Sequence, residues 1–165
     1  MRFVVVQETD WLTRGPHQQH HLFERLAVRG HVVTVLDFEI LWKAWPRSPL
    51  IVRRQEWLSI SRVGQRPPAS VRVIRPATIH LWAVCRPSSL VTHALELNRL
   101  IGRDRPDVIV DYALSTGLAA QSLARRWRIP FVFHVIDALH TLVPLRWLQP
   151  AARAVEARLD RKSVV

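Results

Sequence analysis

The stretch Arg105 to His140, RPDVIVDYALSTGLAAQSLARRWRIPFVFHVIDALH, decides the fold. Asp107-Val108-Ile109-Val110 is a short β-branched run behind Pro106 and predicts a buried strand. Ser115 or Thr116 is placed to cap a following helix, on which Leu118, Ala119, Leu123 and Trp127 recur near helical spacing. Pro130 disfavours helical backbone at Ile129, so the helix ends there and Phe131-Val132-Phe133 opens a second buried strand. Strand, helix and parallel strand make a βαβ unit of about 30 residues with a right-handed crossover. Ligands of open parallel sheets gather at the carboxyl ends of the strands. Those ends carry Asp111 and Tyr112 on one strand, and His134, Asp137 and His140 after the other.

The same grammar begins the chain. Arg2 to Val6 predicts a strand and Gln7 to Gly15 a polar loop. Pro16 suits the first turn of a helix, where its missing N–H costs nothing. Leu22, Phe23, Leu26 and Ala27 give that helix an apolar face, and Gly30 is placed to end it. Val32 to Leu36 is a second buried strand.

Ser70 to Arg75 predicts a third early strand, and Ser88 to Gly102 a helix capped by Ser88 or Ser89, with Leu90, Ala94, Leu97 and Ile101 on one face. Phe38 to Pro68 is expected to be a loop with one short ordered piece between Leu50 and Ser61, because Pro46, Pro49, Pro67 and Pro68 oppose a long helix. Leu145, Leu148, Ala152, Val155 and Leu159 form an amphipathic pattern that Pro150 is expected to interrupt. Ser163-Val164-Val165 resembles the opening of another strand, so the expectation is a truncated chain. Together these elements predict one α/β domain over residues 1–165, a Rossmann-like three-layer α/β/α arrangement around a parallel sheet.

A chain of 165 residues at 48% hydrophobic and 22% charged is long enough for a proper core and is not disordered in composition. Its net charge is +11, and Lys43 and Lys162 are the only lysines, so arginine supplies nearly all of it. Such an excess suits phosphorylated ligands, an anionic membrane surface or nucleic acid, without choosing among them. Cys85 stands alone, which excludes a disulfide framework and a cysteine zinc site. The apolar run Phe3 to Val6 is too short for a secretory signal. No run reaches the roughly 18 residues that a membrane span needs. The expected setting is cytoplasmic, with any membrane contact peripheral at the inner face.

The loop Glu8 to Gly15 and the helix start behind it could hold an anion, since a helix N-terminus offers free N–H groups and a positive dipole end. Neither GxGxxG nor GxxxxGK[ST] is present, which counts against dinucleotide and P-loop chemistry. His17, His20 and His21 cluster on the helix. His17 and His21 share a face as two metal ligands would. With no HExxH and no third ligand at a familiar spacing, no metal is expected. His134 can hydrogen-bond a sugar or phosphate oxygen or move a proton, with Asp137 beside it. No Ser-His-Asp signature points to hydrolysis. The Trp42 to Arg66 stretch, rich in tryptophan and arginine, could lie on anionic lipid or pack as a loop. It lacks the motifs of a nucleic-acid module, and no nucleic-acid partner is expected.

The order of elements resembles the N-terminal, acceptor-side domain of GT-B glycosyltransferases, specifically the family-4-like domain. The matching residues are Phe3-Val4-Val5-Val6, Gly15-Pro16 before a helix, and Leu26-Ala27-Val28-Arg29-Gly30-His31-Val32-Val33-Thr34-Val35, a frequent marker of that domain. Arg105 to Val110 and Ala124 to His134 are similar to its later strands and helix. The resemblance implies that Arg14-Gly15-Pro16-His17 approaches the donor diphosphate, with one glycine where the family usually has a pair. It implies that His134 lies beside the transferred sugar as a catalytic residue, with Asp137 the acidic residue that follows it. Asp111 and Tyr112 stand where many members carry a histidine-rich strand end, and would contact the acceptor.

The resemblance further implies a nucleotide-sugar donor, no other cofactor, and a lipid-linked or polysaccharide acceptor of cell-envelope synthesis. The family holds its donor mostly in a C-terminal domain, which these residues do not include. The expectation is therefore half an enzyme, inactive alone. The rivals are a non-catalytic module binding a partner chain or an anionic membrane, and a nucleotide-dependent oxidoreductase, against which the missing glycine fingerprint counts.

Overall fold

The computed structural model describes residues 1–38, 49–64, 66–81, 84–143 and 145–160. In chain order the elements are β1 (Arg2–Val6), α1 (Gln18–Val28), β2 (Val32–Leu36), β3 (Ile51–Val52), β4 (Gln55–Ile60), β5 (Val71–Arg75), β6 (Thr78–Ile79), α2 (Cys85–Arg103), β7 (Val108–Asp111), α3 (Gly117–Trp127), β8 (Phe131–Phe133) and α4 (Gln149–Asp160). Two short 3₁₀ turns, Leu139–Leu142 and Arg146–Leu148, join β8 to α4.

Six strands form the main sheet in the order β4-β5-β2-β1-β7-β8. From β5 to β8 every neighbouring pair is parallel, with β1 central: Val5 lies beside Val35 of β2 and Val110 of β7. Both faces are covered, which is why these strands read as unbroken apolar runs. Val5, Val33, Val35, Val73 and Val110 pack on the α1 side with Phe23. Val4, Val6, Leu36, Ile74 and Ile109 pack on the other side with residues of α2, α3 and α4. Alternation of β1 side chains between the faces assigns each residue to its layer.

The structure departs from the sequence reading in detail. Edge strand β4 runs antiparallel to β5, so the sheet is mostly rather than wholly parallel. The Leu50 to Ser61 region holds two strands, because β3 pairs with β6 as a separate antiparallel ribbon. Trp57 of β4 is half-buried with the Arg75 guanidinium 5.3 Å over its ring, while Trp42 and Trp45 lie outside the described residues.

α2 begins at Cys85, one turn earlier than expected. The Ser88 and Ser89 hydroxyls donate back to the Cys85 carbonyl instead of capping. α1 begins at Gln18, leaving Pro16 just before the first turn, and Gly30 follows its end at φ +84°. Pro150 falls in the first turn of α4, where proline is tolerated, and does not break it. The expected strand opening at Ser163 lies outside the described residues. Among the described residues no helix is long and apolar enough to cross a membrane.

Candidate functional site

The loop between β1 and α1 is held from below by buried charge. Asp37, just past β2, accepts the Trp11 N–H at 2.6 Å and two bonds from Arg75, at 2.9 and 2.6 Å. Arg75 also reaches Asp10 at 3.0 Å, whose carboxylate takes the amides of Leu12 and Thr13. Burial pushes the Asp37 carboxyl above its ordinary value, against the opposing pull of Arg75 and the Trp11 amide. Removing one partner of such a group would strand the other's charge, so the three residues act as one fixture.

His20 is the second anchor. Its ring stacks on Trp11 at 4.0 Å, its Nε2 contacts the Trp11 carbonyl at 3.0 Å, and its Nδ1 accepts the His17 amide at 3.0 Å. An accepting Nδ1 places the proton on Nε2. Burial lowers the pKa and keeps the ring neutral. Of the three histidines on α1, His20 is therefore the buried support, whereas His17 and His21 are exposed. Held this way, Arg14, Gly15, Pro16 and His17 form an exposed turn at the carboxyl edge of the sheet. Gly15 sits at φ +82°, and a Cβ there would meet the His17 nitrogen at 2.5 Å, so only glycine fits.

Glu8, just past β1, lies at the start of α3. Its Oε1 accepts the amides of Ser115 at 2.9 Å and Thr116 at 3.0 Å and the Ser115 hydroxyl, while Oε2 pairs with Arg86 of α2 at 2.9 Å. Neither Ser115 nor Thr116 caps α3 with its own side chain; their amides, directly before the first turn, are held by Glu8 instead. Burial pushes the Glu8 carboxyl up, but the Arg86 charge, the Ser115 hydroxyl and the Thr116 amide outweigh it and leave it below its ordinary value. An anion at a helix N-terminus gains from the dipole as well.

At the tips of β7 and β8, the Tyr112 ring stacks on His134 at 4.8 Å and meets Phe23 of α1 edge-on at 6.2 Å. The Tyr112 hydroxyl lies 3.4 Å from His134 Nδ1. Burial pushes the phenol up to about 12, so it keeps its proton. With Nδ1 facing the phenol, Nε2 is the ring nitrogen left to meet a ligand. The Phe23 contact places this pair on the same side of the sheet as α1.

Asp111 is placed differently. It is fully buried, with its carboxyl against Gly117, the first residue of α3. Oδ1 accepts the Ala113 amide at 3.2 Å, and Oδ2 has no hydrogen-bond partner among the described residues. Burial raises its pKa well above the ordinary carboxylate range, with the nearby Glu8 charge adding to the rise. Tyr112, not Asp111, is the member of the expected pair that reaches His134.

Asp137 is exposed, and among the described residues no hydrogen bond joins it to His134. His140 is engaged in holding α4 instead: Glu156 of that helix lies 2.6 Å from its Nδ1 and accepts its amide at 3.1 Å. A surface depression of about 280 Å³ lined by Arg105, Asp107 and Arg128 opens at the amino ends of β7 and β8, on the edge opposite His134. Arg105 there donates to the Trp127 and Arg128 carbonyls at the end of α3, a structural role.

Sequence reasoning did not single out Glu8, Arg86, Asp37 or Arg75 as individual residues. Their spacings, up to 107 residues between Glu8 and Ser115, carry no local signal. The one available hint was that both carboxylates stand within two residues of the ends of strands that finish at the same edge.

No curated protein matches this sequence. The glycosyl transferase 4-like domain family matches residues 15–163, a span that runs from Gly15 through the Tyr112–His134 pair to the end of α4 and leaves out β1. The chain therefore belongs to the glycosyl transferase 4-like domain family, whose general activity is the transfer of a sugar from a nucleotide-sugar to an acceptor.

Proposed function

We propose that this domain is the acceptor-side half of a transferase that moves a sugar from a nucleotide-sugar to a lipid-linked or polysaccharide acceptor at the cytoplasmic face of a membrane. The observation that carries the reading is the assembly, on one sheet edge, of the exposed Arg14–His17 turn and the stacked Tyr112–His134 pair. Both rest on buried supports, so both are preorganised.

Sugar transfer breaks the bond from the anomeric carbon to the donor diphosphate and forms one to the acceptor oxygen. Its transition state is stabilised by fixed positive groups at the departing diphosphate and by close placement of the acceptor oxygen. Arg14 and His17 would face the diphosphate. The Tyr112 hydroxyl engages Nδ1 of His134, which would leave Nε2 to hold a hydroxyl of the transferred sugar. Asp137, at the rim, would take sugar or acceptor hydroxyls. One arginine and one helix start are a small positive field for a diphosphate, so the remaining charge is expected from a second, donor-binding domain.

The test is consumption of a nucleotide-sugar by residues 1–165, alone and with a donor-binding domain supplied. Turnover only in the second case supports the reading. Brisk turnover by the isolated chain, or none in any pairing while the nucleotide-sugar still fails to bind, would overturn it.

A further inference from the structure

We propose that the outer face of α2, with the β3–β6 ribbon beside it, docks onto an anionic lipid membrane. The inner face of α2 buries Ser89, His93, Leu97 and Leu100. Its outer face carries Val84, at the helix start, then Val91 and Leu95, spaced so that they share one stripe. Val91 is 59% exposed and Leu95 64%.

The stripe continues beyond both ends of the helix. Leu81 lies directly before the first turn, its carbonyl accepting the amides of Val84 and Cys85. The Ile79 amide donates to the Ser88 hydroxyl at 3.2 Å, which sets β6 against α2, and Ile79 pairs with Ile51 across the ribbon. Leu81, Ile79 and Ile51 are all exposed. At the far end the Trp127 indole donates to Asn98 of α2 at 3.2 Å while part of the ring stays open to solvent. A single exposed apolar residue needs no explanation, but a continuous band of them marks a contact surface.

Charge selects the occupant. Beside the stripe α2 carries Arg99 and Arg103 against one acid, Glu96, while Arg86 is turned to Glu8 on the other side of the helix. Glu96 is buried and engaged by Arg54 at 2.9 Å. Arg53 follows the ribbon and is exposed. An apolar stripe bordered by arginines is the pattern of a helix lying in a membrane interface, with the stripe among acyl chains and the arginines at anionic head groups. A second copy of this chain pairing through the same face would bring arginines against arginines, which opposes a homodimer.

The experiment is co-sedimentation of the full chain with phosphatidylcholine vesicles, with and without an equal share of phosphatidylglycerol. No nucleotide-sugar is present, so the outcome is independent of the sugar-transfer reading. Binding is expected on the mixed vesicles and is expected to weaken with salt. The double variant Val91→Asn/Leu95→Asn should bind about tenfold more weakly, through lost apolar burial. Leu58→Asn, at a residue of β4 that is 69% exposed, should bind as the parent does. Unchanged circular dichroism would show that the double variant folds. The proposal is overturned by no binding to mixed vesicles, by equal binding to neutral ones, or by a double variant that binds like the parent. A dimer in solution that the double variant dissolves would also overturn it, because a second copy would then cover the face.

Discussion

Glu8 and Ser115 are 107 residues apart in sequence, yet the carboxylate of the first accepts both the amide, at 2.9 Å, and the hydroxyl of the second. This contact ties the end of β1 to the start of α3, and Arg86 ties both to α2. Glu8→Ala is expected to cost about 1–3 kcal/mol, the usual effect of losing charge-assisted hydrogen bonds. Thermal unfolding would show it as a lowered Tm. Because the folded-state pKa of Glu8 is depressed, its contribution is full above the ordinary value of 4.5 and is lost as pH falls below that. Glu8→Gln should remove that acid sensitivity; an unaltered acid limb in the variant would refute the assignment.

Asp111 has the opposite linkage. Its folded-state pKa is raised, so the protonated form is favoured in the fold. The stability it lends is full below the ordinary value of 3.8 and is lost as pH rises toward the folded pKa. Asp111→Asn, a neutral isostere, is expected to be more stable than the parent at neutral pH, with the difference vanishing near pH 4. Denaturant titrations at both pH values would decide it.

Gly15 and Gly30 both have positive φ, but their surroundings differ. Gly15→Ala meets the His17 backbone, whereas Gly30→Ala finds open space. Left-handed strain alone costs on the order of 1 kcal/mol, so Gly30→Ala should lose about that much. Gly15→Ala should lose more, and should also impair nucleotide-sugar turnover in the two-domain pairing. Equal stability losses at the two glycines would contradict the crowding at Gly15.

Tyr112 and His134 separate by role in the proposed transfer. His134→Ala should lower kcat by roughly a hundredfold, the lower range for loss of a positioned proton-handling group. Tyr112→Phe keeps the stacked ring and removes only the hydroxyl. It should reduce kcat several-fold and cost about 1 kcal/mol or less of stability. Steady-state kinetics of the two-domain pairing, compared between variants, tests the order. A Tyr112→Phe loss as large as that of His134→Ala would contradict it.

Gly117 adds a packing test. A Cβ there would press on the Asp111 carboxyl and come within 3.0 Å of a Leu159 methyl. Gly117→Ala should therefore destabilise, although alanine favours helices more than glycine does. A rise in Tm would show that α3 can shift to make room.

The parallel core was legible because strands buried on both faces must be apolar throughout, as Val4-Val5-Val6 and Val108-Ile109-Val110 are. The left-handed end of α1 at Gly30 was legible because glycine is the residue that accepts that conformation freely. The cap of α3 was not. Serine and threonine before a helix point to a local cap, but here their own amides are taken by Glu8, which comes from the loop after β1. Asp111 read as an edge residue by position, yet its carboxyl turns under α3, since alternation along β7 places it on the α3 face with Ile109.

By itself the sequence determined the alternating strands and helices of the parallel core and the polar loop that ends at Gly15, because hydrophobic period and backbone freedom are properties of neighbouring residues. Only the tertiary structure decided the supports beneath the site: Glu8 on α3, Asp37 with Arg75 and Asp10, and Tyr112 on His134. Those contacts join distant segments, and their geometry exists only once the sheet has brought the strand ends to one edge.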